Sequence, residues 1–253
     1  MNVIDINSDL GERPQALLDG SEEMLLAKIS SANIACGGHA GTRKTMEHVV
    51  RLCLKHGVGV GAHPGYPDKE NFGRREMDLS LDDIESTVFE QVKRLMDAAK
   101  ELGASVRHVK PHGALYNSAV ENQALAIAIG RGVLRVDKSL ILIGLAGSPM
   151  LGVWTNLGMR TVGEVFADRR YEPDGRLRHR SHSDALITDP ADAAAQVMSF
   201  VRHGFIVAAD GTRLPLNAHT ICVHSDTPNA VAIVAAVRQS LEGEAFQVRS
   251  IGG

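Results

Sequence analysis

The feature that most constrains the fold is a strand near the start of the chain with one polar and one apolar face. Residues 3–9 alternate in polarity, so Asp5, Asn7 and Asp9 share one face of this strand. An open sheet covered by helices on both sides would favour strands that are apolar throughout. If helices cover the apolar side, the polar side faces the lumen of a barrel. We therefore expect a closed or nearly closed barrel of strands and helices.

Short apolar runs alternate with helical patterns along the chain. The clearest helix covers residues 80–102, where apolar residues form one stripe behind a Ser80 cap. This alternation indicates a parallel sheet of about seven strands with helices outside it. We expect a single α/β domain over residues 1–253, a length typical of such barrels. The predicted strands cover residues 3–9, 31–36, 58–62, 106–111, 140–144, 161–165 and 220–224, with a hairpin at 206–216 and further helices at 42–56, 122–130, 189–203 and 229–241.

Composition excludes several classes of protein. The net charge of -3 argues against a general nucleic-acid or anionic-membrane surface. No run approaches the ~18 apolar residues that span a membrane, and the first residues lack the basic start and apolar run of a signal peptide. The three cysteines form no Cys-x-x-Cys pair, which fits a reducing compartment. We expect a cytoplasmic protein that binds a small-molecule substrate and has no nucleic-acid or membrane partner.

Ionisable and amide side chains stand at the ends of most predicted strands. The loops after barrel strands build the active site, so we expect these side chains to share one cleft. They are Asn7, Asp9 and Glu12 at the first strand, Asn33 and His39 at the second, His63 at the third, Lys110 and His112 at the fourth, Glu164, Asp168 and Arg169 at the sixth, and His224 at the last.

Three of these residues form a donor set that suits a metal. Asp9 with His63 and His112 would bind a divalent ion of the zinc or transition type. The chain has no compact ligand motif such as His-Glu-x-x-His, so a second interpretation stays open. In it, the same residues bind and polarise an amide while a carboxylate handles a proton.

Basic side chains in the same region indicate an anionic ligand. Lys110 either anchors a carboxylate or phosphate, or serves as a base if its pKa is lowered. Arg169, with Arg170 and Arg180, either grips such an anion or belongs to a solvated loop. The glycine-rich stretches lack the phosphate-loop and dinucleotide patterns, so we interpret their glycines as tight turns after strands.

Six motifs carry a family resemblance that spans nearly the whole chain. They resemble the LamB/YcsF family, which implies a seven-stranded β/α barrel similar to the polysaccharide-deacetylase superfamily. The family's characterised activity is that of the A subunit of a bacterial 5-oxoprolinase, which opens 5-oxoproline to glutamate. The resemblance therefore implies consumption of ATP and two partner subunits. The motifs are SANIACGGHAG (31–41), GVGVGAHPGYPD (57–68), FGRREM (72–77), HVKPHGALYN (108–117), EVFADRRY (164–171) and ICVHSDTPNAV (221–231).

The chain also departs from the family pattern. Where the family usually has Cys-Gly-Phe-His-Ala-Gly-Asp-Pro, this chain has Gly38, Thr42 and Arg43 in place of the phenylalanine, aspartate and proline. Ser225 and Asn229 stand where glycine is usual, and the segment after the first strand is shorter. Because Gly38 adjoins a candidate site histidine, these departures bear on which substrate the chain takes.

We expect a hydrolase that opens a small cyclic amide, with 5-oxoproline as the substrate that the resemblance implies. Asp9 or Glu12 would handle a proton, while His63 and His112 would polarise the substrate or hold a divalent metal. Lys110 and Arg169 would bind a carboxylate or phosphate. The further residues expected to bind substrate are Asn7, Asn33, His39, Glu164, Asp168 and His224.

Two other functions remain open. The fold relationship suggests a metal-dependent deacetylase or amidohydrolase that does not use ATP. The altered loop from Gly38 to Arg43 suggests a non-catalytic ligand-binding or regulatory subunit.

Overall fold

A closed ring of seven parallel strands forms the centre of the computed structural model, which describes residues 3–252. The described residues form these seven strands and three further ones outside the ring. In chain order they are β1 (Val3–Leu10), β2 (Ser31–Ala35), β3 (Gly59–His63), β4 (Val106–Val109), β5 (Ile141–Leu145), β6 (Arg160–Phe166), β7 (Phe205–Val207), β8 (Arg213–Pro215), β9 (Thr220–Cys222) and β10 (Gln247–Val248). Neighbours pair in sequence from β1 to β6, and β9 closes the ring by pairing with both β6 and β1. This ring confirms the predicted barrel.

Helices follow the barrel strands and cover the outside of the ring. They are α1 (Pro14–Leu18), α2 (Ser21–Leu26), α3 (Arg43–His56), α4 (Leu81–Glu101), α5 (Gly113–Glu121), α6 (Gln123–Val136), α7 (Pro149–Asn156), α8 (Pro190–His203) and α9 (Ala230–Gly243). The sequence does not predict α1, α2, α5 or α7. Each has at most nine residues, too few for an apolar stripe to repeat clearly.

Two smaller strand pairings lie outside the ring. β7 and β8 form an antiparallel hairpin, as predicted. β10 pairs with the start of β1, and its two residues carry no pattern from which it could be predicted. Within residues 3–252, no helix has both the length and the apolar character that crossing a membrane requires.

The polar face of β1 points into the lumen, as predicted. Asp5, Asn7 and Asp9 are all buried. At the bottom of the barrel, Asp5 Oδ1 accepts hydrogen bonds from Ser30 Oγ at 2.6 Å and Ser31 Oγ at 2.7 Å, and Thr220 is hydrogen-bonded to Oδ2. These hydroxyls stabilise the ionised carboxyl, but burial outweighs them and raises the pKa of Asp5 to about 6.

We predict that Asp5→Asn abolishes one component of the pH dependence of stability. The folded pKa of Asp5 lies above its ordinary value of 3.8, so folding favours the protonated acid. The stabilisation by this group is complete below that ordinary value and is lost as the pH rises through about 6. A shift of this size corresponds to roughly 3 kcal/mol.

Urea unfolding between pH 4 and 7.5 measures the effect (roughly the range in which this group titrates). The free energy of unfolding of the wild type should contain this downward component, and that of Asp5→Asn should lack it. Asp97→Asn, which alters an exposed carboxylate on α4, is the control and should follow the wild type. Equal slopes for wild type and Asp5→Asn would contradict the prediction.

Candidate functional site

A cleft of about 580 Å³ opens at the carboxyl ends of the barrel strands. Seven of the twelve predicted site residues line it, namely Asp9, Glu12, His63, Lys110, His112, Arg169 and His224. The other five are buried, and each contacts a lining residue; these are Asn7, Asn33, His39, Glu164 and Asp168.

The Lys110 ammonium lies in the lumen at the floor of the cleft. Its Nζ is 3.0 Å from Glu164 Oε2, 3.2 Å from Asp9 Oδ1 and 3.1 Å from Cys222 Sγ. Burial alone would lower the pKa of Lys110, but the carboxylates of Asp9 and Glu164 raise it well above its ordinary value. A lysine that stays protonated cannot accept a proton, so the structure favours Lys110 as a fixed cation over Lys110 as a base.

Cys222 is absent from the predicted site residues, although the alternation of side chains along β9 could have predicted that it faces the lumen. Cys222 and Thr220 stand two residues apart on that strand, so they share its inward face. Thr220 Oγ1 accepts a hydrogen bond from Asn7 Nδ2 at 2.7 Å, which ties the same face to β1.

A chain of amides holds Asp9 from the opposite side. Asn33 Nδ2 donates to Asp9 Oδ1 and to Asn7 Oδ1, both at 2.8 Å. His108 Nε2 donates to Asn33 Oδ1 at 2.9 Å, and burial lowers the pKa of His108 to about 3, so this ring is neutral. Lys110 and His63 hold the pKa of Asp9 well below its usual range although burial opposes its ionisation. Asp9 is therefore a carboxylate whose orientation is fixed.

Four buried side chains converge beside Asp9, and we call Glu12, His39, His63 and His112 the histidine cluster. Their nearest donor atoms all lie within 4.8 Å of one another. The rings of His39 and His112 stack with centroids 3.6 Å apart, and His39 Nε2 lies 2.9 Å from Glu12 Oε1. Burial lowers the pKa of His39 to about 4, whereas the neighbouring carboxylates raise that of His63 against the effect of burial.

Two backbone carbonyls fix the tautomers of the cluster. His63 Nδ1 lies 2.7 Å from the carbonyl oxygen of Lys110, and His112 Nε2 lies 2.8 Å from that of Phe72. A carbonyl oxygen only accepts hydrogen bonds, so each of these outer nitrogens carries a proton. In the neutral rings, the inner nitrogens then carry lone pairs. His63 Nε2 and His112 Nδ1 are 3.0 Å apart, and Glu12 Oε1 is 3.1 Å from His112 Nδ1.

Lone pairs at this separation repel unless a cation lies among them. The cation is either a shared proton or a metal ion. Imidazole nitrogens with a carboxylate oxygen are zinc-type ligands, and carbonyls that bind the outer nitrogens are the usual supports of metal-binding histidines. The cluster thus fits a zinc-type ion, and it brings Glu12 and His39 together with His63 and His112.

Asp9 stands in a different position from the one expected for a ligand. Its Oδ2 is 3.4 Å from His63 Nε2, but its Oδ1 is engaged by Lys110 and Asn33. A second group of possible ligands, Asp9 with Cys222 and His224, has the Lys110 ammonium against two of its three members. The structure therefore favours Glu12 over Asp9 as the carboxylate ligand.

Asp168 positions His224, which follows β9 and lines the cleft near Asp9. Its carboxylate lies 3.1 Å from both the backbone nitrogen and Nδ1 of His224 and also accepts a hydrogen bond from Thr227. The His224 ring stacks on Phe166 with centroids 5.3 Å apart. Asp168 thus acts through His224, which is the member of this pair that lines the cleft.

Gln91 on α4 fills the space beside Gly38, which explains one departure from the family pattern. A Cβ atom at position 38 would overlap the side-chain amide of Gln91. That amide donates to the carbonyl of Gly65 at 2.7 Å and accepts from its N–H at 3.1 Å. A Cβ at Gly65 would in turn lie 2.8 Å from His39 Nδ1, so Gln91 holds a turn that packs against the cluster. Its spacing from Ile84 and Val88 in the stripe could have predicted its burial.

The fold is similar to that of a solved carbohydrate esterase. A family 4 carbohydrate esterase from Streptomyces lividans aligns with a TM-score of 0.50 at 16% identity, over 99% of this chain and 93% of that chain. This likeness concerns the fold alone.

The family follows from closer matches. The LamB/YcsF family model matches residues 4–253, so the chain belongs to the LamB/YcsF family. It is 49% identical over 250 residues to the A subunit of 5-oxoprolinase from Chloroflexus aggregans, covering 99% of both chains. The lactam utilization protein of Thermus thermophilus aligns with a TM-score of 0.90 at 39% identity, over 99% of this chain and 100% of that chain.

We predict that positions 38 and 91 are energetically coupled. Gly38→Phe forces the Gln91 amide off Gly65, and overpacking of this kind costs about 1–3 kcal/mol. Gln91→Ala leaves two buried backbone groups unpaired, at about 1–3 kcal/mol each. In the double variant the ring occupies the vacated space, so the loss of stability should be smaller than the sum of the single losses by at least about 0.5 kcal/mol.

Urea unfolding of the wild type, both single variants and the double variant measures this coupling. Gln196 on α8 offers a matched control, because its amide also binds backbone carbonyls but on the Arg169 loop. Gly38→Phe and Gln196→Ala should be additive. Additivity in both pairs would show that Gln91 and position 38 are independent.

Proposed function

We propose that the protein opens a small cyclic amide by hydrolysis, with 5-oxoproline as substrate and glutamate as product. We further propose that it acts as the A subunit of a cytoplasmic enzyme with two partner subunits, which consumes ATP. Relatives that are named as the A subunit of 5-oxoprolinase support the substrate and the subunit role. The observation that carries the proposal is the convergence of His63, His112 and Glu12 on one point at the cleft floor, beside the ionised Asp9.

The cluster accounts for the polarisation of the amide. In the proposal, Glu12, His63 and His112 hold a divalent ion, with His39 beside them. When bound, such an ion supplies Lewis acidity toward the amide carbonyl. The carbonyls of Lys110 and Phe72 keep the two rings in the tautomers that direct lone pairs inward. His39 packs flat on His112 and braces that ring.

Proton transfer falls to Asp9 in this scheme. Hydrolysis forms a bond between the water oxygen and the carbonyl carbon, breaks the ring C–N bond and moves a water proton to the leaving nitrogen. Asp9 is ionised, and Lys110 and Asn33 engage its Oδ1. Its Oδ2, which lies 3.4 Å from His63 Nε2, is therefore the oxygen that would accept the water proton. Ring opening of a resonance-stabilised amide is slow. Transfer of the terminal phosphoryl group of ATP to the carbonyl oxygen, with ADP as the leaving group, would make the carbon a better electrophile. Water addition and cleavage of the C–N bond would then leave an acyl phosphate, and its hydrolysis by a second water would release glutamate and phosphate.

The remaining predicted residues complete the cleft. Lys110 and Arg169 provide positive charge for a carboxylate or phosphate, and His224 presents its ring to the same cleft. Asn7, Asn33, Glu164 and Asp168 orient these groups from behind.

A metal-dependent deacetylase or amidohydrolase that needs no ATP is the second candidate. The histidine cluster favours it, because a zinc-type ion held by Glu12, His63 and His112 would supply Lewis acidity for amide hydrolysis without prior phosphorylation. The requirement for ATP separates the two candidates.

We predict that His112→Ala and Asp9→Asn each lower ATP-coupled glutamate release from 5-oxoproline by about 10²–10⁴-fold. The assay uses the full chain assembled with its two partner subunits. His48→Ala changes an exposed histidine on α3 and is the control, which should retain wild-type activity. Full activity in both site variants would exclude this site.

Two other outcomes of this assay would assign the alternatives. Amide or acetyl hydrolysis that proceeds at the same rate without ATP would favour the deacetylase. Tight binding of 5-oxoproline with no turnover in the assembled complex would favour a ligand-binding subunit.

We predict that the chain binds about one zinc-type ion and that His63→Ala and Glu12→Gln each weaken this binding at least tenfold. Metal content after loading and dialysis, together with competition by a chelator, measures the affinity without reference to activity. His203→Ala, at the end of α8, is the control and should keep the metal. Equal metal content in wild type and His63→Ala would contradict the cluster as a metal site.

A further inference from the structure

The mouth of the cleft carries positive charge that the protein does not balance locally. Arg169 is 6% exposed and lines the cleft, and its guanidinium donates to the carbonyl of Arg178 at 2.6 Å. Its buried Nε has no hydrogen-bond partner among residues 3–252. Among residues 3–252, no carboxylate oxygen lies within 4.0 Å of the guanidinium nitrogens of Arg169. Burial and the charge of Arg180 lower the pKa of Arg169 to about 10, which leaves it charged at neutral pH.

One carboxylate serves two further guanidiniums at this mouth. Arg180 donates to Asp226 at 3.1 Å and 3.4 Å, and Arg74 from the loop after β3 is paired with the same carboxylate. Asp168 also attracts Arg169, but its oxygens are engaged by His224 and by Thr227.

The loop after β6 is built to hold Arg169 in place. Arg169 bridges to Leu186 across this loop, and its own carbonyl accepts a hydrogen bond from Gln196 at 2.9 Å. Arg178 fixes the same loop by ion pairs with Glu172 and Asp184. A buried guanidinium that lines the cleft, and whose Nε has no hydrogen-bond partner among the described residues, is therefore held in place by this loop.

We infer that Arg169, Arg180 and Arg74 form a subsite for a phosphate group at the mouth of the cleft. Guanidinium groups bind oxyanions through paired N–H donors, and a dianion relieves the repulsion between neighbouring guanidiniums more than a monocarboxylate does. The cleft volume of about 580 Å³ also exceeds what a five-membered ring with one carboxylate needs. The identity of this ligand rests on the proposed function, in which the bound molecule is a phosphorylated cyclic amide.

Asp226 occupies the subsite when no anion is bound. A phosphate group would compete with this carboxylate for Arg180 and Arg74. The structure therefore assigns opposite effects to changes of Asp226 and of its partners: loss of an arginine weakens phosphate binding, and loss of the Asp226 charge strengthens it.

Equilibrium binding of inorganic phosphate to the full chain at low ionic strength tests the inference. Arg180→Gln should weaken binding at least about tenfold, and Asp226→Asn should strengthen it by about threefold or more. Arg176→Gln is the matched control: Arg176 lines the same cleft, but Glu121 and Asp174 already pair with it, so its loss should change affinity by less than about threefold. Arg169→Lys keeps the buried charge and should weaken binding through the lost fork of donors.

Each alternative result has a defined meaning. Undetectable phosphate binding by the wild type, equal losses in Arg180→Gln and Arg176→Gln, or weaker binding by Asp226→Asn would overturn the subsite. Acetate that binds as tightly as phosphate would overturn its assignment to phosphate. ADP that binds far more tightly than phosphate, and loses affinity in Arg180→Gln, would support the subsite and identify a nucleotide as the source. Because no turnover is measured, failure of the proposed reaction leaves these results unaffected.

Discussion

The Lys110 ammonium is the charge on which the interior of the barrel depends. Closure of the ring removes Asp9 and Glu164 from water, and both lie within 3.2 Å of Nζ. Buried carboxylates without a cation are costly, and breaking such a pair destabilises a protein by roughly 3–5 kcal/mol. Together with His63, which lies 3.4 Å from the other carboxyl oxygen, the same contact keeps Asp9 ionised. The contacts of Lys110 therefore both stabilise the buried charges inside the barrel and arrange Asp9 at the floor of the cleft.

The cleft divides into regions with different electrostatic character. At the floor, the histidine cluster presents lone pairs and a carboxylate, which attract a cation. At the mouth, Arg169 and Arg180 present donors, which attract an anion. A ligand that carries a polarised amide at one end and an anionic group at the other complements both regions. Lys110 lies at the floor of the cleft, where it balances the charges of Asp9 and Glu164.

Much of the fold could be predicted, because β1 combines a polar face with an apolar one and because most predicted strands end in ionisable residues. Seven of the residues predicted from these strand ends line the cleft. The sequence indicates Asp9 as the carboxylate of the candidate metal site, whereas the structure favours Glu12, because Lys110 engages Asp9. It could not fix the tautomers of His63 and His112 either, because backbone carbonyls set them. β10 and the short helices carry too few residues for a periodic pattern.

Three of the departures from the family pattern, at positions 38, 42 and 229, are accommodated by their surroundings. Gly38 leaves no void, because Gln91 fills the space and binds the turn beside His39. Thr42 still caps α3 through a hydrogen bond from Thr45 N, as the usual aspartate would. Asn229 adopts a φ of 64°, a left-handed conformation that asparagine tolerates better than most residues other than glycine. The altered loop suggests a subunit that has lost its chemistry, but this loop preserves the packing around the histidine cluster. The substitutions in it therefore leave in place every side chain that the proposed reaction uses.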